Sequence, residues 1–179
     1  PEVVVPSIQE FLAAIDSSPS GKSPGPTGLT YSMIKGWSVS VRQWAYYCLR
    51  DMWLANDLGK WWRSKLLCPI PKTDCPTLST LRPIMLLESL RKVWMKVIIR
   101  KITGAWEKHH VLSNAQYGFR QGRHTGQAIL QAVNAMEEAE EEASIIYISS
   151  WDITRAFDSI TRPVIAISLQ RLGVPLELA

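Results

Sequence analysis

Apolar and polar positions follow two periods along this chain, and the switches between them mark its elements. Residues 7 to 16 read as a short amphipathic helix, with Ser7 at the N-cap and Glu10 in the capping-box position. Residues 29 to 58 keep a helical period, broken near Gly36. They carry Trp37, Trp44, Tyr47 and Trp53, whose spacing with Leu49 and Leu54 predicts burial rather than a base-stacking platform. The helical pattern is strongest from Leu86 to Trp106. Leu90, Val93, Val97, Ile98 and Ile102 share one face there, while Lys92, Lys96, Arg100 and Lys101 are spread over the others. Residues 125 to 142 and 155 to 171 predict two more helices, the second closed by Gly173 and Pro175.

Extended segments lie between these helices. Ser64 to Lys72 predicts a strand near a sheet edge, because its prolines cannot donate to a central ladder. A polar loop with Asp74 and Pro76 follows, and Leu81-Arg82-Pro83-Ile84 resumes extended structure. Residues 144 to 151 form an apolar, β-branched run that predicts a buried, rigid strand delivering Asp152 at its C-terminal end. The expected class is α+β, helices packed on a small, mostly antiparallel sheet. Residues 17 to 28 are dense in Gly and Pro and contain Gly21-Lys22-Ser23. The first glycine of a phosphate-binding P-loop is replaced by Asp16, and no strand precedes it, which excludes that reading. Gln116 to Arg120 reads as a turn, with Gly118 and Gly122 supplying flexibility.

Charge changes this picture modestly. Of the 16 acids, Glu137, Glu138, Glu140, Glu141 and Glu142 form one run, best read as a solvated helix face. The 20 Lys and Arg elsewhere face the remaining 11 acids, an excess of about nine that suits a polyanionic partner. Cys48, Cys68 and Cys75 form no disulfide framework and match no zinc spacing, so reduced, intracellular thiols are expected. No apolar run reaches membrane-span length, and no membrane partner is expected. A chain beginning at Pro1 is expected to be a piece of a longer protein.

The candidate chemistry centres on Asp152. A carboxylate at a rigid strand end can face a bound cation, although Asp before a helix is on its own more often an N-cap. Asp158 has a structural partner at hand in Arg162, four residues on. Lys72 and Arg82 end and begin two extended segments, and a hairpin would bring both cations to one mouth. Either one alone would pass as ordinary surface charge.

Five segments, taken in order, resemble one family. They are Ser23 to Leu29, Pro69 to Lys72, Leu81 to Ile84, Gln116 to Arg120 with Gly122 to Thr125, and Asp152 to Ser159. Over about residues 20 to 175 the chain is similar to reverse transcriptase domains of non-LTR retrotransposons, and more distantly to group II intron maturases. The resemblance implies the fingers and partial palm of a right-hand polymerase, residues 1–142 fingers-like and 143–179 the start of the palm. It implies RNA template, DNA primer and dNTP as partners, and Mg²⁺, with Mn²⁺ as the alternative, as cofactor. Asp152 would be the first metal-binding aspartate, with the Ile153 carbonyl as a neighbouring ligand. Lys72 and Arg82 would hold the triphosphate, Phe157 would crowd the sugar 2′ position, and Arg120 and Arg123 would touch the template backbone.

Two departures stand out. Thr27 occupies a position where the family usually has Asp, and the later Asp-Asp motif is absent from these residues, so the remainder of the palm and the thumb are missing. One carboxylate does not hold two cations, and the chain alone is expected to be inactive. The alternative is a decayed or domesticated remnant that binds RNA without catalysis, which the basic excess also suits.

Overall fold

The computed structural model describes residues 5–75, 77–154, 156–176 and 178–179, apart from the side chains of Ser79 and Asp158. Pro76 of the predicted loop, Arg155 at the start of the predicted last helix, and the proposed Asp158–Arg162 pair therefore lie outside the described residues. The architecture is α+β. The order is α1 (Ile8–Asp16), α2 (Tyr31–Gly36), α3 (Val39–Leu54), α4 (Gly59–Arg63), β1 (Lys65–Pro71), β2 (Leu81–Leu87), α5 (Ser89–Lys108), α6 (Thr125–Glu141), α7 (Ala156–Ser159) and α8 (Arg162–Arg171). The chain divides into two compact units, residues 1–101 and 102–179.

The first unit is organised by an aromatic core. The expected capping box starts α1: Ser7 Oγ accepts from Glu10 N at 3.2 Å, and Ser7 N donates to Glu10 Oε2 at 2.7 Å. The α1 face that follows buries Phe11, Ala14 and Ile15. Phe11 lies 5.7 Å from Tyr46 and 6.1 Å from Trp94, and Trp94 lies 6.0 Å from Trp53. Val93, Trp94, Val97 and Ile98 form the buried stripe of α5, so Trp94 completes the face expected from the apolar period. On α3 the buried positions are Ala45, Tyr46 and Leu49, while Trp44, Tyr47 and Leu54 are exposed. The expectation of burial for Trp44, Tyr47 and Leu54 is thus corrected. Tyr46 wins the inner stripe because its hydroxyl can also donate to Pro6 O, at 2.9 Å, keeping its one polar atom satisfied.

β1 and β2 form a two-stranded antiparallel hairpin, with Lys65 opposite Leu87 and Pro71 opposite Leu81. β2 runs to Leu87, so α5 begins at Ser89 rather than at 86. Met85, Leu86 and Leu87 are held extended by their partners Leu67, Leu66 and Lys65. Lys72 N donates to Thr80 O at 3.1 Å, which makes that pair hydrogen-bonded. Because bonded and non-bonded pairs alternate, Pro71 and the facing Pro69 and Pro83 fall in non-bonded pairs. Their missing N–H groups would point outward, so the prolines blunt the hairpin edges without costing a ladder bond.

In the second unit the last turns of α5 meet α8 through Trp106 Nε1, which donates to Leu172 O at 2.8 Å. The predicted single helix over 155–171 is two, α7 and α8, because Pro163 sits in the first turn of α8, where it starts a helix more readily than it continues one. Gly173, at φ 81°, closes α8 as expected. Val174 N bonds Leu169 O at 2.9 Å and Gly173 N bonds Gln170 O at 3.0 Å, the double closure of a Schellman end. The predicted strand at 144–151 is corrected. Those residues have no regular secondary structure, and the described strands are paired only with each other. A β-strand is a relation between two segments, and an apolar β-branched run without a partner forms no ladder.

Candidate functional site

Lys72 and Arg82 are brought together. Lys72 follows β1 directly and its N–H bonds Thr80 O, and Ile70 faces Arg82, so the alternation of the hairpin puts both cations on one face at its loop end, two positions apart across the two arms. Diagonal neighbours of this kind are roughly 7–8 Å apart, close enough for two long side chains to converge on one anionic group. Both are exposed, which leaves their charges available to a ligand from solvent.

Behind the hairpin, its root is tied to the Gly- and Pro-rich loop. Glu88, between β2 and α5, is only 2% exposed. Its two carboxylate oxygens accept from Thr27, Oε1 from the backbone N at 2.9 Å and Oε2 from the hydroxyl at 2.6 Å. Ser89 Oγ donates to Leu29 O at 2.6 Å, and Lys92 Nζ to Ser23 O at 3.2 Å. Burial lowers the pKa of the Lys92 ammonium, against the opposing influence of the Glu88 charge. A Cβ on Gly25 would come within 2.6 Å of Glu88 N, so only glycine allows this approach. An acid in place of Thr27 would face a buried carboxylate, whereas threonine offers it a donor.

Asp152 lies in the second unit, exposed and outside regular structure, as does Ile153 beside it. The rigid strand expected beneath Asp152 is therefore not there. Phe157, on α7, is 82% exposed and makes an edge-to-face contact with Phe119, whose ring centroid is 6.3 Å away and which is itself 94% exposed. Phe119 holds φ at 61°, an unusual backbone for a bulky side chain. Phe157 stands in the segment that resembles the family, and its partner Phe119 lies far from it in sequence. Phe119 was visible within the Gln116–Arg120 turn, but nothing in its spacing announced the ring contact.

The two arginines of that turn differ. Arg120 is committed internally: Nε and Nη2 donate to Glu107 at 2.7 and 2.6 Å, and Nη1 donates to Ser113 O and Gln116 O at 2.7 and 3.1 Å. Only 7% of its side chain is exposed. The Arg120 hydrogen bond holds the Glu107 carboxyl below the usual carboxylate range. Arg123 gives Nη1 to Asn114 O at 2.9 Å and lies over the Tyr117 ring at 5.5 Å. A recess of about 430 Å³ along α6, lined by Gln127, Leu130, Gln131, Asn134 and Glu138, includes none of the predicted site residues.

Residues 70–178, well over half of the chain, match the family described as reverse transcriptase (RNA-dependent DNA polymerase). The chain belongs to the reverse transcriptase family. It is also similar to a probable RNA-directed DNA polymerase from transposon BS of Drosophila melanogaster, 26% identical over 155 residues. That alignment covers 86% of this chain and 17% of the transposon protein, so the chain spans under a fifth of that relative's length. Reverse transcriptases generally use a divalent metal. Among the described residues no three His, Cys, Asp or Glu side chains are grouped to hold an ion. No helix among the described residues is long and apolar enough to cross a membrane.

Proposed function

We propose that this chain is the fingers and first part of the palm of an RNA-directed DNA polymerase from a non-LTR retroelement, residues 1–142 forming the fingers-like region and 143–179 the start of the palm. The observation that carries this is the pairing of Lys72 and Arg82 on one hairpin face, within a chain of the reverse transcriptase family. Two cations at the loop end of one hairpin suit the triphosphate of an incoming dNTP, because charge-assisted bonds to phosphate oxygens are strong and directional. Asp152, with the Ile153 carbonyl, contributes one carboxylate toward a Mg²⁺ or Mn²⁺ site. Phe157, braced by Phe119, crowds the sugar 2′ position. Arg123 meets the backbone of an RNA template paired to a DNA primer, and Arg120 supports that turn from within.

Kinetics of the polymerase carrying this segment test the reading. Lys72→Ala and Arg82→Ala are each expected to raise the dNTP KM by about tenfold or more, the loss of a charge-assisted contact. Unchanged dNTP dependence in both variants would remove the basis of the assignment. The chain by itself, with one carboxylate, is expected to extend no primer with Mg²⁺ and dNTPs. Extension by pure chain that disappears in Asp152→Asn would contradict this. The alternative of an RNA-binding remnant is favoured by the basic excess. It predicts RNA binding with a steep salt slope and no response to dNTP.

A further inference from the structure

We propose that Glu88 is a positioning residue that aims the β1–β2 hairpin, and that Thr27 is its partner. Both faces of the hairpin are largely solvent-exposed: Leu66, Ile70 and Ile84 on one, Leu67 and Met85 on the other. Packing along its length therefore does little to fix its direction, which is set where it is rooted. One root is Glu88, immediately after β2, buried and bonded through both oxygens to Thr27. Ser89 and Lys92 fasten the start of α5 to the same loop, at Leu29 and Ser23. The other root, α4, is held by Arg91 Nη1, which donates to Trp62 O at 2.6 Å.

The mechanical consequence follows from length. Strands of seven residues reach about 23 Å, so a tilt of about 5° at the base moves the tip by roughly 2 Å. Two cations that must converge on one triphosphate are sensitive to such a shift. The Thr27 hydroxyl and the Glu88 carboxylate are each other's partners. Losing the hydroxyl leaves a buried carboxylate oxygen without its donor, a state that favours rearrangement of the root. The inference rests on the reading of Lys72 and Arg82 as the triphosphate holders.

The test has two readouts. In this chain, with Cys48→Ser and Cys68→Ser, spin labels at Cys75 in the hairpin loop and at Gln9→Cys on α1 report the hairpin's direction as a distance distribution. The distribution is expected to be narrow with Thr27 and Glu88 intact, and with Thr27→Ser, which keeps the donor. It is expected to broaden or shift in Thr27→Val and Glu88→Ala at unchanged helix content. Should Glu88→Ala fail to fold, the nearly isosteric Thr27→Val decides alone. In the polymerase carrying this segment, Thr27→Val is expected to raise the dNTP KM about tenfold with kcat changed by less than about twofold, and Thr27→Ser to restore it. An unaltered distance distribution in Thr27→Val overturns the proposal whatever the kinetics. A broadened distribution with an unaltered KM supports Glu88 as the hairpin's anchor and instead overturns the triphosphate reading of Lys72 and Arg82.

Discussion

At the scale of single residues, the strongest internal commitments belong to side chains that sequence patterns treat as surface. Arg120 is one. Its fork closes on Glu107 and on two carbonyls, and the Glu107 carboxyl is held low by that bond, with the nearby Arg123 and His110 charges adding to the effect. A carboxyl lowered in the folded state stabilises at pH above its unfolded value, and the contribution is lost as pH falls through the folded pKa. A carboxyl-carbon NMR titration is therefore expected to place Glu107 below the ordinary carboxylate range, and Arg120→Gln to return it upward. An unmoved titration would show that the pair does not persist in solution. Trp94 makes the apolar counterpart. It is fully buried among Phe11, Tyr46 and Trp53, with its indole N–H lacking a partner among the described residues. Trp94→Ala is expected to cost about 3–5 kcal/mol in urea unfolding, while Trp94→Phe, which removes the unpaired N–H, costs much less.

At the scale of elements, what could be read from the sequence depended on how local each signal was. The α1 capping box, the closure of α8 at Gly173 and the edge character of β1 each rest on residues within a few positions, and all three are present. The split of α7 from α8 was also local, written in Pro163, but the apolar period across it masked the break. The run at 144–151 was not decidable locally, because a strand needs a neighbour that its own residues cannot specify. The contact between Gly25 and Glu88 spans distant parts of the chain and left no periodic trace. It predicts a large response to a small change: Gly25→Ala forces Cβ onto the Leu87–Glu88 backbone. Overpacking of this kind is expected to lower stability by about 1–3 kcal/mol in thermal unfolding. An unshifted Tm would mean that the loop docks less closely than described.

At the scale of the whole molecule, the two units differ in how far their residues satisfy one another. The first has a buried aromatic core. The second leaves the segment leading to Asp152 in solvent, with Tyr147 90% and Trp151 88% exposed beside exposed Ile145 and Ile148. Contiguous exposed apolar residues of high β propensity favour association. The pair Ile146→Lys and Ile148→Lys is accordingly expected to reduce light scattering by the chain without altering its helix content. The family of the chain was legible because five short segments recur in order, although none alone would have sufficed. The placement of the acid was not, because a supporting strand has to be paired before it can aim a side chain. Asp152 is where the account is most exposed to test. Primer extension on an RNA template by the polymerase carrying this segment, with Asp152→Asn beside its parent, measures it directly. The account predicts a fall in rate of about a thousandfold or more with primer binding retained, whereas extension by Asp152→Asn at close to the parent rate would contradict it.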